Sequence, residues 1–334
     1  MFILDKPDVD TYERTRMDVS ITVSLENVGT APAMDIPLRL ALPQNISGHQ
    51  EVIGIAISPS PSRTSSDMLE NRFVHFTIDV LQPLERMNIT VNVSLLLTST
   101  DYHFHDSGEL TMEGDMSMFL VESALIDFRD PLIISTASKI AGDTHVLTDI
   151  AWETYIWIIE NIRYQQVAGE LDAATTLRRG EGGSAEFANL FVALLRANGI
   201  PSRRVSGWGT HFNEGDVLKI SSFSHGWAEF YVPDYGWMQV DPTWGRTSRF
   251  DNFARTDAEH VVLTLGDGVH FLQRGPYSTP FGNTEVDTDY DLQINDISRD
   301  NLSMKRDLIL YSIVLAPVTF IVFIVYQKIS QRRL

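Results

Sequence analysis

The chain has 334 residues, 43% of them hydrophobic, a formal net charge of -18 at pH 7 and no cysteine. That length and apolar content are enough for two domains with buried cores. The acidity excludes a nucleic-acid surface, whose phosphates require clustered Lys and Arg, and the lack of cysteine excludes disulfides and thiolate metal sites.

Residues 17–98 read as all-β. Val19, Ile21, Val23 and Leu25 alternate with Ser20, Thr22, Ser24 and Glu26, and further period-two runs follow at 34–40, 73–80 and 87–97. Turn clusters at Asn27-Val-Gly29, at 43–48 and at 58–66 separate them. Short strands punctuated in this way predict an immunoglobulin-like β-sandwich over residues 1–105. Asn45, Asn88, Asn92 and Asn301 lie in Asn-X-Ser/Thr sequons, and Asn88 and Asn92 share the polar face of their strand. His103-Phe-His105-Asp106 is a close histidine pair without an evident third ligand, so it reads as a polar linker and not as a metal site.

From residue 131 to 166 the pattern turns helical, with Trp152, Ile156, Ile159 and Ile162 on one expected face. A second helix starts at Ser184 after Gly-Glu-Gly-Gly and carries Phe187, Leu190, Phe191, Leu194 and Leu195 on one side. Gly199 and Pro201 end it. His225, Trp227, Glu229 and Tyr231 then share a strand face, Pro233-Asp-Tyr-Gly236 turns the chain, and Trp237, Gln239 and Asp241 share a face of the returning strand. That hairpin brings Asp241 towards His225, with an offset that a bulge or a longer loop would absorb. Closing strands are expected over 250–275. The polar, acidic residues 283–304 read as a stalk. Within it Asp287, Asp289 and Asp291 resemble the opening of a calcium loop, but Leu292 and Ser298 stand where that loop requires Gly and Glu.

Leu308 to Tyr326 carries no charge and is long enough to span a bilayer. Lys328, Arg332 and Arg333 follow it, against Lys305 and Arg306 before it, which places the C-terminus in the cytoplasm and the bulk outside. Residues Met1–Asp5 have neither a basic nor an adequate apolar region for a signal peptide. Either the start is truncated, or the chain is tail-anchored with its bulk in the cytosol.

Ser184 at a helix N-terminus is placed among free N–H groups and the positive end of the helix dipole, which suit a developing oxyanion. Serine there is also a favoured N-cap. A carboxylate at Asp241 would fix the tautomer of His225 and stabilise its imidazolium, although His225 and Asp241 also read as strand and turn residues. Taken together, the segments resemble the transglutaminase-like core, a branch of the papain-like fold. They are Leu177-Arg-Arg-Gly180, the Gly183–Arg196 helix, Gly199-Ile-Pro-Ser-Arg203-Arg-Val-Ser-Gly207, His225-x-Trp-x-Glu229 and Gly236-Trp-x-x-Val-Asp241-Pro-Thr-Trp244.

The resemblance implies an α+β domain over 106–282, with Ser184 in the nucleophile position, His225 as general base and Asp241 as the orienting acid. Such domains attack a glutamine carboxamide or peptide amide, form an acyl-enzyme and pass the acyl group to an amine or to water. They use a cysteine nucleophile where this chain has Ser184. The Ser184 N–H would be one oxyanion donor and the segment at Tyr164 and Gln165 would supply the second. A cleft lined by Trp208, Trp227 and Trp244 would receive a peptide or protein substrate through a glutamine or amide group. The chemistry needs neither metal nor other cofactor.

A serine hydroxyl cannot rest as an alkoxide and must give up its proton during attack. The leading expectation is therefore a pseudoenzyme whose cleft binds such substrates at a membrane. The alternatives are a working serine amidase or peptidase, a site whose cysteine has been altered, and a surface adhesion protein acting through its sandwich.

Overall fold

A computed structural model describes residues 8–104, 115–209, 211, 218–221, 224–247, 252–279 and 282–302. The strand-rich N-terminal part runs β1 (Asp8–Asn27), β2 (Ala33–Leu42), β3 (Gln50–Ser58), β4 (Arg63–Ser66), β5 (Arg72–Leu81) and β6 (Arg86–His103). The central part follows as α1 (Pro131–Ala141), α2 (Leu147–Asn161), β7 (Arg163–Tyr164), α3 (Ala173–Arg179), β8 (Glu181–Gly182), α4 (Ser184–Ala197), β9 (Ser202–Gly209) and β10 (Leu218–Ser221). Then come β11 (His225–Val232), β12 (Gly236–Val240), α5 (Pro242–Thr247), β13 (Arg255–Thr256), β14 (His260–Leu265), β15 (Leu272–Arg274) and β16 (Val286–Asn301).

Two sheets face each other across one core. The order β10-β16-β1-β6-β13, with β3 also on β6, forms one sheet, and β15-β2-β5-β4 forms the other. Val19, Ile21, Val23 and Leu25 of β1 are buried with Ile36, Leu38 and Leu40 of β2 and Val74 and Phe76 of β5. The period-two pattern of these strands is therefore the burial pattern.

The acidic segment after residue 282 is not a stalk. Its residues 286–301 form β16, antiparallel to β1 from Asn27↔Val286 to Glu13↔Asn301. Val286, Leu292, Ile294 and Ile297 enter the core, while Asp287, Asp289 and Asp291 lie on the opposite face at alternate positions. A high density of acids concealed an alternating strand. The run 308–326 and the pair His105 and Asp106 lie outside the described residues. Among the described residues no helix is long and apolar enough to cross a membrane.

The central part sets helices on one face of the sheet β12-β11-β9-β14. Phe187, Leu190, Phe191 and Leu194 of α4 pack with Ala228, Phe230, Met238 and Val240 of the hairpin. The helical stretch 131–166 is two helices, and the buried face of α2 is Leu147, Ile150, Ala151, Thr154, Tyr155 and Ile158. Trp152, expected on that face, is 38% exposed and meets Phe253 edge-on instead. The opposite face of β9 and β14 adds Trp208, Val261 and Leu263 to the sandwich core.

Two sandwich carboxamides close the free edge of β14, which would otherwise expose unpaired backbone groups. Gln50 exchanges hydrogen bonds of 2.9 Å with Val262 N and O. Asn71 does the same at 2.7 Å with Leu265 N and O. The strand-rich part thereby holds the strand that begins at His260.

Candidate active site

Ser184 is the first residue of α4 and Gly183 its N-cap. The capping work falls to Glu186, whose Oε2 accepts from Gly183 N at 2.9 Å while Oε1 accepts from Leu171 N at 3.0 Å. The Ser184 hydroxyl is therefore free of the capping role that serine usually serves at such a position. Its Oγ accepts a hydrogen bond from Gly226 N at 3.3 Å. Gly226 fits because an added Cβ would lie 3.2 Å from Ala185 Cα and 3.4 Å from Ser184 O. The start of β11 thus rests directly on the helix N-terminus, where first-turn N–H groups lack intrahelical partners.

His225, next to Gly226, is buried and half of its ring is committed. Its Nε2 donates to Asp241 Oδ2 at 2.7 Å, because an ionised carboxylate only accepts. The ring leaves Nδ1 as its remaining nitrogen. In the hairpin Ala228 pairs with Val240 and Val232 with Gly236, so continuing the register sets Asp241 diagonal to His225. The side chains span that offset without a bulge. Among the described residues, no hydrogen bond joins Ser184 Oγ to the His225 ring.

Asp241 is fully buried and every contact favours its charge. Oδ1 accepts from Thr243 N at 2.8 Å and Trp244 N at 3.1 Å, at the start of α5. Oδ2 accepts from His225 and, at 3.1 Å, from His260 Nε2. Burial alone would raise its pKa, but His225 and then His260 hold the carboxyl well below the usual range.

His260 and Asp257 belong to the same network and lie outside the residues that the motifs pointed to. His260 Nδ1 lies 2.9 and 3.0 Å from the two oxygens of Asp257, which also accepts from Glu259 N and His260 N at 2.8 and 2.9 Å. Burial works against a charged His260, yet Asp257 and the hydrogen bonds to both carboxylates carry it up to about 10. No residue signal beyond a lone His-Val-Val strand start marked it. His225, Asp241 and His260 together have the composition of a metal site, their ligand atoms lying within 4.8 Å of one another. Their mutual distances are those of hydrogen bonds.

The expected tryptophan cleft is not assembled. Trp208 and Trp227 are 1% and 0% exposed, the first in the sandwich core and the second beside Val205, Val262 and Leu265. Large flat side chains at alternate strand positions served the core and not the cleft. Trp244 is half-buried and stacks on His225, with ring centroids 5.3 Å apart.

Tyr164 and Gln165 are exposed and run beside the Ser184 turn, since β7 pairs parallel with β8. The Gln165 N–H is already given to Gly182 O at 2.8 Å, and its side chain turns to Gln166 O at 3.3 Å. Gln166 comes nearer the turn, with Oε1 3.9 Å from where a Gly183 Cβ would stand.

Two glycines of β9 make room for this arrangement. A Cβ on Gly209 would lie 2.8 Å from His225 Cδ2 and 2.9 Å from Trp244 Cζ2, and one on Gly207 would lie 1.9 Å from Val261 O. Arg203, of the same strand, pairs with Glu229 at 2.6 Å, which accounts for the glutamate of His-x-Trp-x-Glu.

The structure thus brings a hydroxyl at a helix N-terminus against the backbone next to His225, and a buried carboxylate onto the His225 ring. Residues 134–242 match the model of the transglutaminase-like superfamily. This segment is a transglutaminase-like domain. Over 66 residues the chain is 41% identical to a protein-glutamine gamma-glutamyltransferase of Pseudomonas aeruginosa, covering 19% of this chain and 10% of that protein. Over 69 residues it is 35% identical to the uncharacterized protein YebA of Bacillus subtilis, covering 19% and 9%. The chain thus spans only about a tenth of the length of these relatives.

Among solved structures, a candidate cysteine protease of Cytophaga hutchinsonii superposes with a TM-score of 0.56 at 16% identity, over 86% of this chain and 100% of that one. Coverage on that scale shows a shared fold that reaches beyond the transglutaminase-like domain into the strand-rich part.

Proposed function

We propose that the transglutaminase-like domain is an acyl-transfer enzyme with a serine nucleophile, acting on glutamine carboxamide or peptide amide groups. The observation that carries this reading is the Ser184 hydroxyl. It is relieved of capping by Glu186 and held by Gly226 N, one residue from a histidine whose other nitrogen is anchored on Asp241.

Ser184 Oγ attacks the carbonyl carbon and its proton passes to His225 Nδ1. The resulting oxyanion is met by N–H groups at the start of α4. Collapse of the intermediate breaks the C–N bond, and the departing ammonia or amine takes the proton from His225. Water or a second amine then attacks the ester, His225 removes its proton, and Ser184 Oγ regains a hydrogen. The relative named a protein-glutamine gamma-glutamyltransferase supports the choice of amide substrate. The serine stands where the family resemblance expects cysteine.

One observation favours a second reading, a non-catalytic cleft that binds amide-bearing peptides. Ser184 Oγ is held by Gly226 N and not by the His225 ring. Catalytic hydrogen bonds often tighten only when substrate binds, so this geometry is also that of a resting enzyme. On either reading we place the protein at a membrane through the run 308–326, with its bulk outside the cytoplasm and an immunoglobulin-like spacer before the domain.

Incubating the protein with glutamine-containing peptides and a primary amine, and following adducts by mass spectrometry, separates the two. Turnover by the native chain that is lost in Ser184→Ala supports the enzyme. Equal silence from both, with acylation of Ser184→Cys, supports the binding cleft.

A further inference from the structure

His260 is as fully buried as Asp241, and its surroundings settle its protonation. Asp241 Oδ2 lies 3.1 Å from Nε2, and both oxygens of Asp257 lie within 3.0 Å of Nδ1. Both carboxylates are held below their usual range, the second at about 2, so both only accept hydrogen bonds. Each ring nitrogen must therefore carry a hydrogen. Trp244 and Trp227 close over the ring, with centroids at 4.2 and 5.0 Å.

The other ionisable neighbours are few. His225 is 5.7 Å away between ring centroids. His49 donates from Nε2 to His260 O at 3.0 Å, and burial lowers its pKa. Arg255 and Tyr12 act on Asp257 from behind.

We propose that His260 is a positioning residue of this site, a buried imidazolium that anchors Asp241 Oδ2 and offsets its charge so that His225 retains a neutral Nδ1. The proposal rests on the acyl-transfer reading for its catalytic meaning. A lone buried carboxylate beside His225 would favour the imidazolium, which suits a resting thiolate but blocks a base that must take a proton from serine. A second cation on the same oxygen divides that pull. The site then suits a hydroxyl nucleophile, and the device that adapts it sits on β14, outside the nucleophile, histidine and carboxylate themselves.

The test is ring nitrogen NMR on the full chain carrying 15N-labelled histidine, for the native protein, His260→Gln and Asp257→Asn. Glutamine keeps a donor for Asp241 and removes the charge. We expect one histidine with both ring N–H groups present from pH 5 to 9, missing from His260→Gln. At neutral pH more of His225 should carry both ring N–H groups in that variant than in the native chain, with a smaller rise in Asp257→Asn. Should His260→Gln fail to fold, Asp257→Asn gives the same rise on a smaller scale.

A doubly protonated histidine that persists in His260→Gln, or a His225 ring signal unchanged in both variants, overturns the proposal. These readouts do not need turnover, so a catalytically silent chain would refute the acyl-transfer reading while leaving the role of His260 to be judged on its own. Where turnover is present, the acid limb of kcat should move to higher pH in the same variants, with KM nearly unchanged.

Discussion

His225 and Asp241 meet at 2.7 Å across a hairpin whose register sets them diagonally, two residues out of step. The same Asp241 oxygen takes a second hydrogen bond from His260. This shared oxygen links the β11–β12 hairpin to β14, whose edge the sandwich amides of Gln50 and Asn71 close.

Replacing Asp241 by Asn should leave the fold recognisable and disable the site. An amide presents either a donor or an acceptor to each histidine, so the His225 tautomer is no longer fixed. Loss of about 10⁴ in kcat is expected by analogy with other nucleophile–histidine–carboxylate sites, and is read from amide turnover. The variant also leaves His260 with one carboxylate in place of two, so a lower melting temperature should accompany the lost rate.

Stability should depend on pH in a defined window. His260 is raised to about 10 in the folded chain from an ordinary 6.5, so the folded state keeps a proton that the unfolded state loses. Its contribution is fully present below pH 6.5 and declines as pH climbs towards 10. Asp241 and Asp257 are held below their ordinary 3.8, so their contribution is present above about pH 4 and is lost in acid. Melting temperatures across pH 3–10 should form a plateau with falling limbs, and His260→Gln should flatten the alkaline limb.

Gly207→Ala should be strongly destabilising. The new Cβ would come within 1.9 Å of Val261 O and 2.9 Å of Trp227 Cη2, and the backbone contact cannot be relieved by a rotamer change. A loss of at least about 1–3 kcal/mol, the usual cost of an overpacked interior, should appear in urea unfolding. Gly54→Ala, where nothing lies within 4 Å, is the control expected to unfold like the native chain.

Removing residues from 283 onward should unfold the strand-rich part. β16 pairs with β1 almost end to end and supplies Val286, Leu292, Ile294 and Ile297 to the core. A truncated chain that retained a cooperative transition at the native temperature would show that segment to be the appendage its composition suggests.

Much of this was legible in the sequence. The period-two runs at 19–26, 34–40, 73–80 and 87–97 lie in β1, β2, β5 and β6, and the structure joins Asp241 to the His225 ring and Ser184 Oγ to the backbone of the next residue, Gly226. What escaped the sequence escaped for physical reasons. The α2 face was misjudged because Trp152 and Ile156 are apolar yet sit beside the stripe that α4 covers. β16 was hidden by acids that occupy only its outer face. His260 and Asp257 work through distance in space, and a single histidine opening a strand carries no spacing by which to recognise it. Trp208 and Trp227 have the aromatic character of cleft residues and the burial of core ones, and only packing distinguishes the two.

The most direct test of the central claim is labelling with a fluorophosphonate, which reacts with activated serine hydroxyls, followed by peptide mapping. One adduct on Ser184, absent from His225→Ala, is the predicted result. An unlabelled Ser184 in a chain whose Ser184→Cys variant acylates readily would contradict it, and would make the site a cleft that binds without turning over.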